Sequence, residues 1–296
     1  SGASLGEEFD GELARAGALK ARMPYQTNKD LRNSINAGMI SYHDVPLGQM
    51  PVWVKNNFLK HIDVAIIEAA AIDENGNIIP TTSVGTSNIY AEYADKIIIE
   101  VNTYVPRCIE GIHDVYSPAR PPHTQPIPIT KVSDRIGTPY IKCDPAKVVA
   151  VVESNIPDNG RTVSPVDDEF RSMANNLIGF LHSEVEHGRL CNPLPPVQAG
   201  VGSVSNAVLQ GLAESDFEHL TVYSEVLQNS IFDLIDAGKV DFASGTSLTI
   251  SWDKRDEFFE NFEKYRDKMI LRPQEISNHP EAVSYTHLTL PTNSLV

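Results

Sequence analysis

The chain has 296 residues, 41% of them hydrophobic and 21% charged, with a formal net charge of −15 at pH 7. This length and balance suit two ordinary α/β domains or one large one, and exclude wholesale disorder. The negative charge, with no Lys/Arg cluster to offset it, argues against a nucleic-acid partner, and no long apolar run offers a membrane span.

In chain order, residues 1–8 show no basic segment before an apolar stretch, so no signal peptide is expected. Ser1 stands where a Met would open a chain, and the sequence is expected to begin inside a fold. Asp30 to Ala37 suits a short helix. Asp63 to Glu68 reads as a fully buried strand, short and β-branched. Asp73 to Asn77 reads as a turn, with Asn75-Gly76 supplying positive φ for a tight hairpin, and Ile78-Ile79 returns as a strand. Ser87 to Ala94 fits a helix leading into a second buried strand, Lys96 to Val101. Between Pro106 and Pro139 there are seven prolines, which predicts a long irregular excursion. A third strand is expected at Val148 to Glu153.

The longest helical pattern runs from Asp167 to His187, with Phe170, Met173, Ala174, Leu177, Ile178, Leu181 and Val185 at three- and four-residue steps. Gly188 suits its end. Leu194-Pro-Pro196 marks a linker, placing a domain boundary near residue 193. Beyond it the pattern restarts. Gly200-Val-Gly202 is a turn, Ser203 to Leu212 a helix, Leu220 to Val226 a strand and Gln228 to Ala237 a helix. Lys239 to Ala243 and Leu248 to Ile250 are short strands, Arg255 to Tyr265 a helix and Met269 to Leu271 a last strand. Such alternation predicts an α/β fold of two open, mostly parallel sheets, with functional residues at the carboxyl ends of strands.

Two segments carry chemistry. Gln198 to Val208 is a glycine turn running into a helix, whose first amides, at Val201, Gly202 and Ser203, present the positive end of the dipole to an anion. Val222-Tyr-Ser-Glu-Val-Leu-Gln228 is a buried strand whose end bears an acid, Glu225. Each feature alone is more often structural than functional. The cysteines, Cys108, Cys143 and Cys191, lack CxxC spacing, and the histidines lack ligand spacing, so neither a disulfide framework nor a metal is expected.

At this spacing the two segments resemble the acetyl-CoA hydrolase/transferase family of class I CoA transferases. The likeness also takes in Arg32 to Gly38, Ile67-Glu-Ala69, Ile79-Pro80 with Ser83-Val-Gly85, Ile98 to Asn102, Glu110 to Asp114 and Ser277-Asn278. The resemblance implies the two-domain CoA-transferase fold, here residues 1–193 and 194–281. It implies acyl-CoA:carboxylate CoA transfer, or acetyl-CoA hydrolysis, through a glutamyl-CoA thioester. The nucleophile is then Glu225, the Val201 amide an oxyanion donor, and Asn278 a positioning residue. Gly200, Val201, Gly202, Ser203, Val204 and Arg161 are implied to bind coenzyme A or the substrate carboxylate. Coenzyme A enters as a substrate, with no tightly bound cofactor, and acetate, succinate or propionate are the carboxylate partners. A homodimer of the full-length protein and a cytoplasmic location are implied, with a mitochondrial form left open. His113 and Asp114 suit a structural hydrogen-bonded pair better than a nucleophile, and Glu68 and Glu100 are strand-end acids without assigned chemistry.

Family members are longer at both ends. Residues 282–296 lack the periodicity of what precedes them and resemble non-native sequence, so they are set apart from the fold. The chain as written is therefore expected to carry the nucleophile with little turnover and to expose sheet edges. The alternative from another class is a non-catalytic α/β module that binds CoA or a sugar phosphate. A dinucleotide oxidoreductase is disfavoured, because Ser205 stands where a third glycine would be.

Overall fold

In a computed structural model of the chain, residues 8–158, 167–200 and 202–286 are described. Three β-branched segments, Val64–Ala69, Lys96–Asn102 and Val148–Ser154, form a parallel sheet with Lys96–Asn102 in the middle. Ala65, Ile67, Ile97 and Ile99 are buried on one side. The expectation that the first strand is fully buried is corrected here: Ile66 is 58% exposed, and in the third strand Val151 is 56% exposed. Sequence runs of this kind report what a strand can bury, and among the described residues nothing covers the second face. The hairpin Ala71–Ile72/Ile78–Ile79 forms, but only Gly76 takes positive φ. Asn75 is instead held by an Asp73 carboxylate that accepts from the Asn75 and Asn77 amides, both at 2.8 Å.

The short helices appear as read, at Lys29–Asn36 and Ser87–Tyr93. Residues 110–139 hold no helix or strand, and they wrap the seam between the two halves of the chain. The long helix spans Asp168–Glu186, capped by the Asp167 side chain at its start and followed by Gly188 at φ 68°. Of its periodic apolar residues only Ala174 is buried outright, while Ile178, Leu181 and Val185 pack partly onto the core.

A second parallel sheet runs in the order Met269–Leu271, Val240–Gly245, Leu220–Tyr223. Two further pieces, Val226–Gln228 and Ser247–Thr249, continue the outer and central strands past a break. The sequence reading of one strand through Val226 therefore needs correction, since the chain kinks at Ser224 and Glu225. The expected single helix over 255–265 is likewise two, Arg255–Glu260 and Phe262–Arg266, divided at Asn261. The helices Ser203–Glu214 and Asn229–Asp236 follow the strand pattern as read.

The largest core joins the two sides of residue 193. Ala70, Val84, Ile109 and Ile112 pack with Leu209, Leu220, Leu248 and Leu271. Residues 112–114 lie beside the last strand: the Leu271 amide donates to the Ile112 carbonyl and the Asp114 amide to the Leu271 carbonyl, both at 2.8 Å. Two buried ion pairs cross the same seam. Lys55 Nζ meets Glu275 at 2.8 Å, and Arg272, fully buried, pairs with Asp114. The helix Pro280–Thr286 runs across position 282, where the non-native tail was expected to begin. Ala282 is buried with Ile127, Ile129 and Ile276. Residues 287–296 lie outside the described residues.

Candidate active site

Glu225 occupies the break between Leu220–Tyr223 and Val226–Gln228, at the carboxyl end of a parallel strand. The Ser224 amide donates to the Ser244 carbonyl at 2.8 Å, and the Glu225 carbonyl accepts from the amides of Thr246 (2.7 Å) and Ser247 (3.2 Å). The backbone of the acid is thus fixed from the central strand. Gly245 permits the close approach, because a Cβ there would come within 2.7 Å of Leu227 Cγ and 3.4 Å of the Glu225 carbonyl oxygen.

On the other flank, Val197 forms a parallel bridge to Val222, with its amide on the Thr221 carbonyl at 2.8 Å. Ser224 Oγ donates to the Ala199 carbonyl and Gln228 Nε2 to the Gly200 carbonyl, both at 3.0 Å. The residues just before and three beyond Glu225 therefore tie the glycine bend to it. Gly202 takes φ 141°, open to glycine alone, and caps the helix Ser203–Glu214 without any side-chain hydrogen bond. Among the described residues no side chain caps the first helical amides, as an anion site requires. Ser203 is half-buried and Val204 exposed. Val201 and Arg161 lie outside the described residues.

The Glu225 side chain is half-buried, and burial alone pushes its pKa up from the ordinary carboxylate value. Among the described residues no cation and no hydrogen-bond donor meets its carboxylate. A desolvated, unpaired acid at a strand end is what a carboxylate nucleophile needs, since a counter-ion would hold its lone pairs.

Asn278 follows the helix Gln274–Ser277, and its Nδ2 donates to the Gln274 carbonyl at 3.3 Å. It packs against the first half of the chain, where a Cβ on Gly48 would lie 2.8 Å from the Asn278 carbonyl oxygen. His113 and Asp114 are structural, but they do not bond each other as expected. His113 Nε2 lies 2.9 Å from the Thr81 carbonyl, and burial pushes its pKa down to about 4, so the ring is neutral at pH 7. Asp114 accepts from the amides of Ile136 (2.9 Å) and Gly137 (2.6 Å) and pairs with Arg272. Glu68 and Glu100 are in-register neighbours. Burial raises the Glu68 pKa, opposed by the Asn102 amide donating at 2.7 Å.

Ser224, Gln228, Gly245 and Thr246 belong to this neighbourhood without having been singled out in the sequence. Ser224 and Gln228 lie in the quoted acid-bearing segment, so their proximity was available there. Gly245 and Thr246 depend on strand pairing that no local pattern announces.

A family model of the acetyl-CoA hydrolase/transferase N-terminal domain matches residues 1–153. The chain is 46% identical over 281 residues to a succinyl-CoA:acetate CoA-transferase of Clostridium kluyveri, covering 95% of this chain and 52% of that protein. It is 42% identical over 288 residues to an acetyl-CoA hydrolase of Schizosaccharomyces pombe, covering 95% of this chain and 55% of that one. The chain spans about half the length of these curated relatives. Among solved structures, a 4-hydroxybutyrate CoA-transferase from Porphyromonas gingivalis superposes with a TM-score of 0.61 at 16% identity, over 94% of this chain and 62% of that one. That likeness shows the CoA-transferase fold.

Proposed function

The chain belongs to the acetyl-CoA hydrolase/transferase family, and from that membership we propose that it carries the nucleophilic half of an acyl-CoA:carboxylate CoA-transfer site, with Glu225 as nucleophile. A Glu225 oxygen attacks the thioester carbon of an acyl-CoA. The carbonyl electrons move to oxygen, and collapse expels CoA thiolate to leave an acyl-glutamyl anhydride. The thiolate then attacks the glutamyl carbonyl, releasing the free carboxylate and forming a glutamyl-CoA thioester. An acceptor carboxylate reverses these two steps and departs as the new acyl-CoA. Water attacking either intermediate in place of that acceptor turns the same site into a hydrolase, so exclusion of water separates the two activities.

Each step passes through a tetrahedral oxyanion that needs fixed donors. The bend at Ala199 and Gly200, held by Ser224 and Gln228, supports amide donation from that flank, and Val201 is proposed as a donor there. Asn278 is proposed to position the acid or the acyl carbonyl, and Arg161 to meet a substrate carboxylate. Acetate, succinate and propionate are the proposed carboxylate partners, and the whole protein is proposed to act as a homodimer. Among the described residues no helix is long and apolar enough to cross a membrane.

The observation that carries this reading is the half-buried, unpaired carboxylate of Glu225 between the glycine bend and the 245–247 segment. The test is to incubate the chain with acetyl-CoA, trap with borohydride, and map modified peptides by mass spectrometry. Reduction of a glutamyl thioester at Glu225, absent in Glu225→Ala, is expected. An unmodified Glu225 with retained CoA binding would leave only the binding-module alternative.

A further inference from the structure

Thr246 is 4% exposed, and its hydroxyl has no hydrogen-bond partner among the described residues. A buried polar group left unsatisfied is destabilising, so such a group calls for an explanation. Its place in the sheet is level with Glu225. Ser244 pairs with Tyr223 and Ser247 with Val226, and the same register sets Thr246 beside the acid. The Thr246 amide confirms the alignment by donating to the Glu225 carbonyl at 2.7 Å. Other buried hydroxyls without a partner, on Thr27, Thr86, Ser154 and Ser277, lie outside this strand pair. Thr246 is the one of these that the strand register sets level with Glu225.

We propose that the Thr246 hydroxyl is a catalytic hydrogen-bond donor to the oxygen that gains charge when an acyl group is attacked at Glu225. The inference rests on Glu225 being the nucleophile. As the Glu225 oxygen bonds to the thioester carbon, the carbonyl electron pair moves onto the acyl oxygen, and the Thr246 O–H bonds to it. The proton stays on threonine, and when the electron pair returns the CoA thiolate leaves. The branched side chain keeps few χ1 options, which favours a hydroxyl held in place before substrate arrives. Burial strengthens the bond, since little water competes for the donor.

Thr246→Val keeps the shape and removes the donor. The melting temperature should hold or rise, because an unsatisfied hydroxyl is replaced by a methyl group. The single-turnover rate of borohydride-trapped adduct at Glu225 should fall about 100- to 1000-fold, the usual loss for one oxyanion donor. The acetyl-CoA concentration giving half-maximal labelling should not change, and Thr246→Ser should recover most of the rate. Labelling of the valine variant at the wild-type rate overturns the proposal while leaving Glu225 as nucleophile. A lower melting temperature in both variants, with no recovery by serine, assigns the hydroxyl to the fold and also overturns it. No adduct in the wild-type chain removes both this proposal and the reading beneath it.

Discussion

Arg272 and Glu225 each follow an outer strand of the same three-stranded sheet, one on either side of Val240–Gly245, yet their surroundings differ. The Arg272 guanidinium pairs with Asp114 and donates to Ser244 Oγ at 3.0 Å, to the Val132 carbonyl at 3.2 Å and to the Asp134 carbonyl. Asp114 in turn takes two backbone amides. Glu225 meets no cation or donor among the described residues, and the neighbouring Thr246 hydroxyl has no partner. A buried charge met by a counter-ion and several acceptors holds the chain together, and one left open is available to a ligand. In one case a sheet end is welded to the 110–139 excursion. In the other the same sheet presents an acid.

Removing one partner from the closed cluster should have the largest effect. Arg272→Met strands the Asp114 carboxylate in a dry site, and a loss of about 3–5 kcal/mol is expected in urea unfolding. Adding Asp114→Leu should recover only part of it, because the Ile136 and Gly137 amides then lose their acceptor. A single variant within 1 kcal/mol of wild type, roughly the range of an exposed pair, would break the contrast. A smaller cost is expected where the two clusters meet. Gly245→Ala brings a methyl group against Leu227, and overpacking of this kind costs about 1–3 kcal/mol. The same variant should slow labelling of Glu225, since the backbone of the acid is fixed by that approach.

The smallest effect concerns the open cluster itself. Burial raises the Glu225 pKa, so the folded state holds this proton more tightly than the unfolded chain, whose glutamate value is about 4.3. Stability from that group is full below the unfolded value and is lost as pH rises through the folded one. Glu225→Gln should lack the decline, so its advantage over wild type should grow as pH rises and then level off. Glu68 and Glu275, also raised by burial, are present in both chains and drop out of the difference. A stability difference independent of pH between 3 and 8, a window of about four units above the unfolded value, would mean that Glu225 is not desolvated.

Much of this contrast was invisible along the chain. The β-branched runs at 64–69, 96–102 and 148–154, the 168–186 helix and the helix start at Gly202 were legible because each follows from local backbone preference and side-chain period. The acid at 225 was legible as a residue type at a strand end. The break in its strand was not; at the kink two amides of a neighbouring strand, those of Thr246 and Ser247, share the Glu225 carbonyl, and that pairing is not encoded locally. The bare face of the first sheet was missed for a related reason. An apolar run reads the same whether or not a partner covers it.

The sequence by itself determined most of the segments that become strands and helices and where the backbone can bend, because those depend on residues close together in the chain. Only the tertiary structure decided which buried polar groups are satisfied. Arg272 finds Asp114 across 158 positions and Glu275 finds Lys55 across 220. Partnership at such separations is settled by packing of the two sheets, and no periodicity along the chain encodes it.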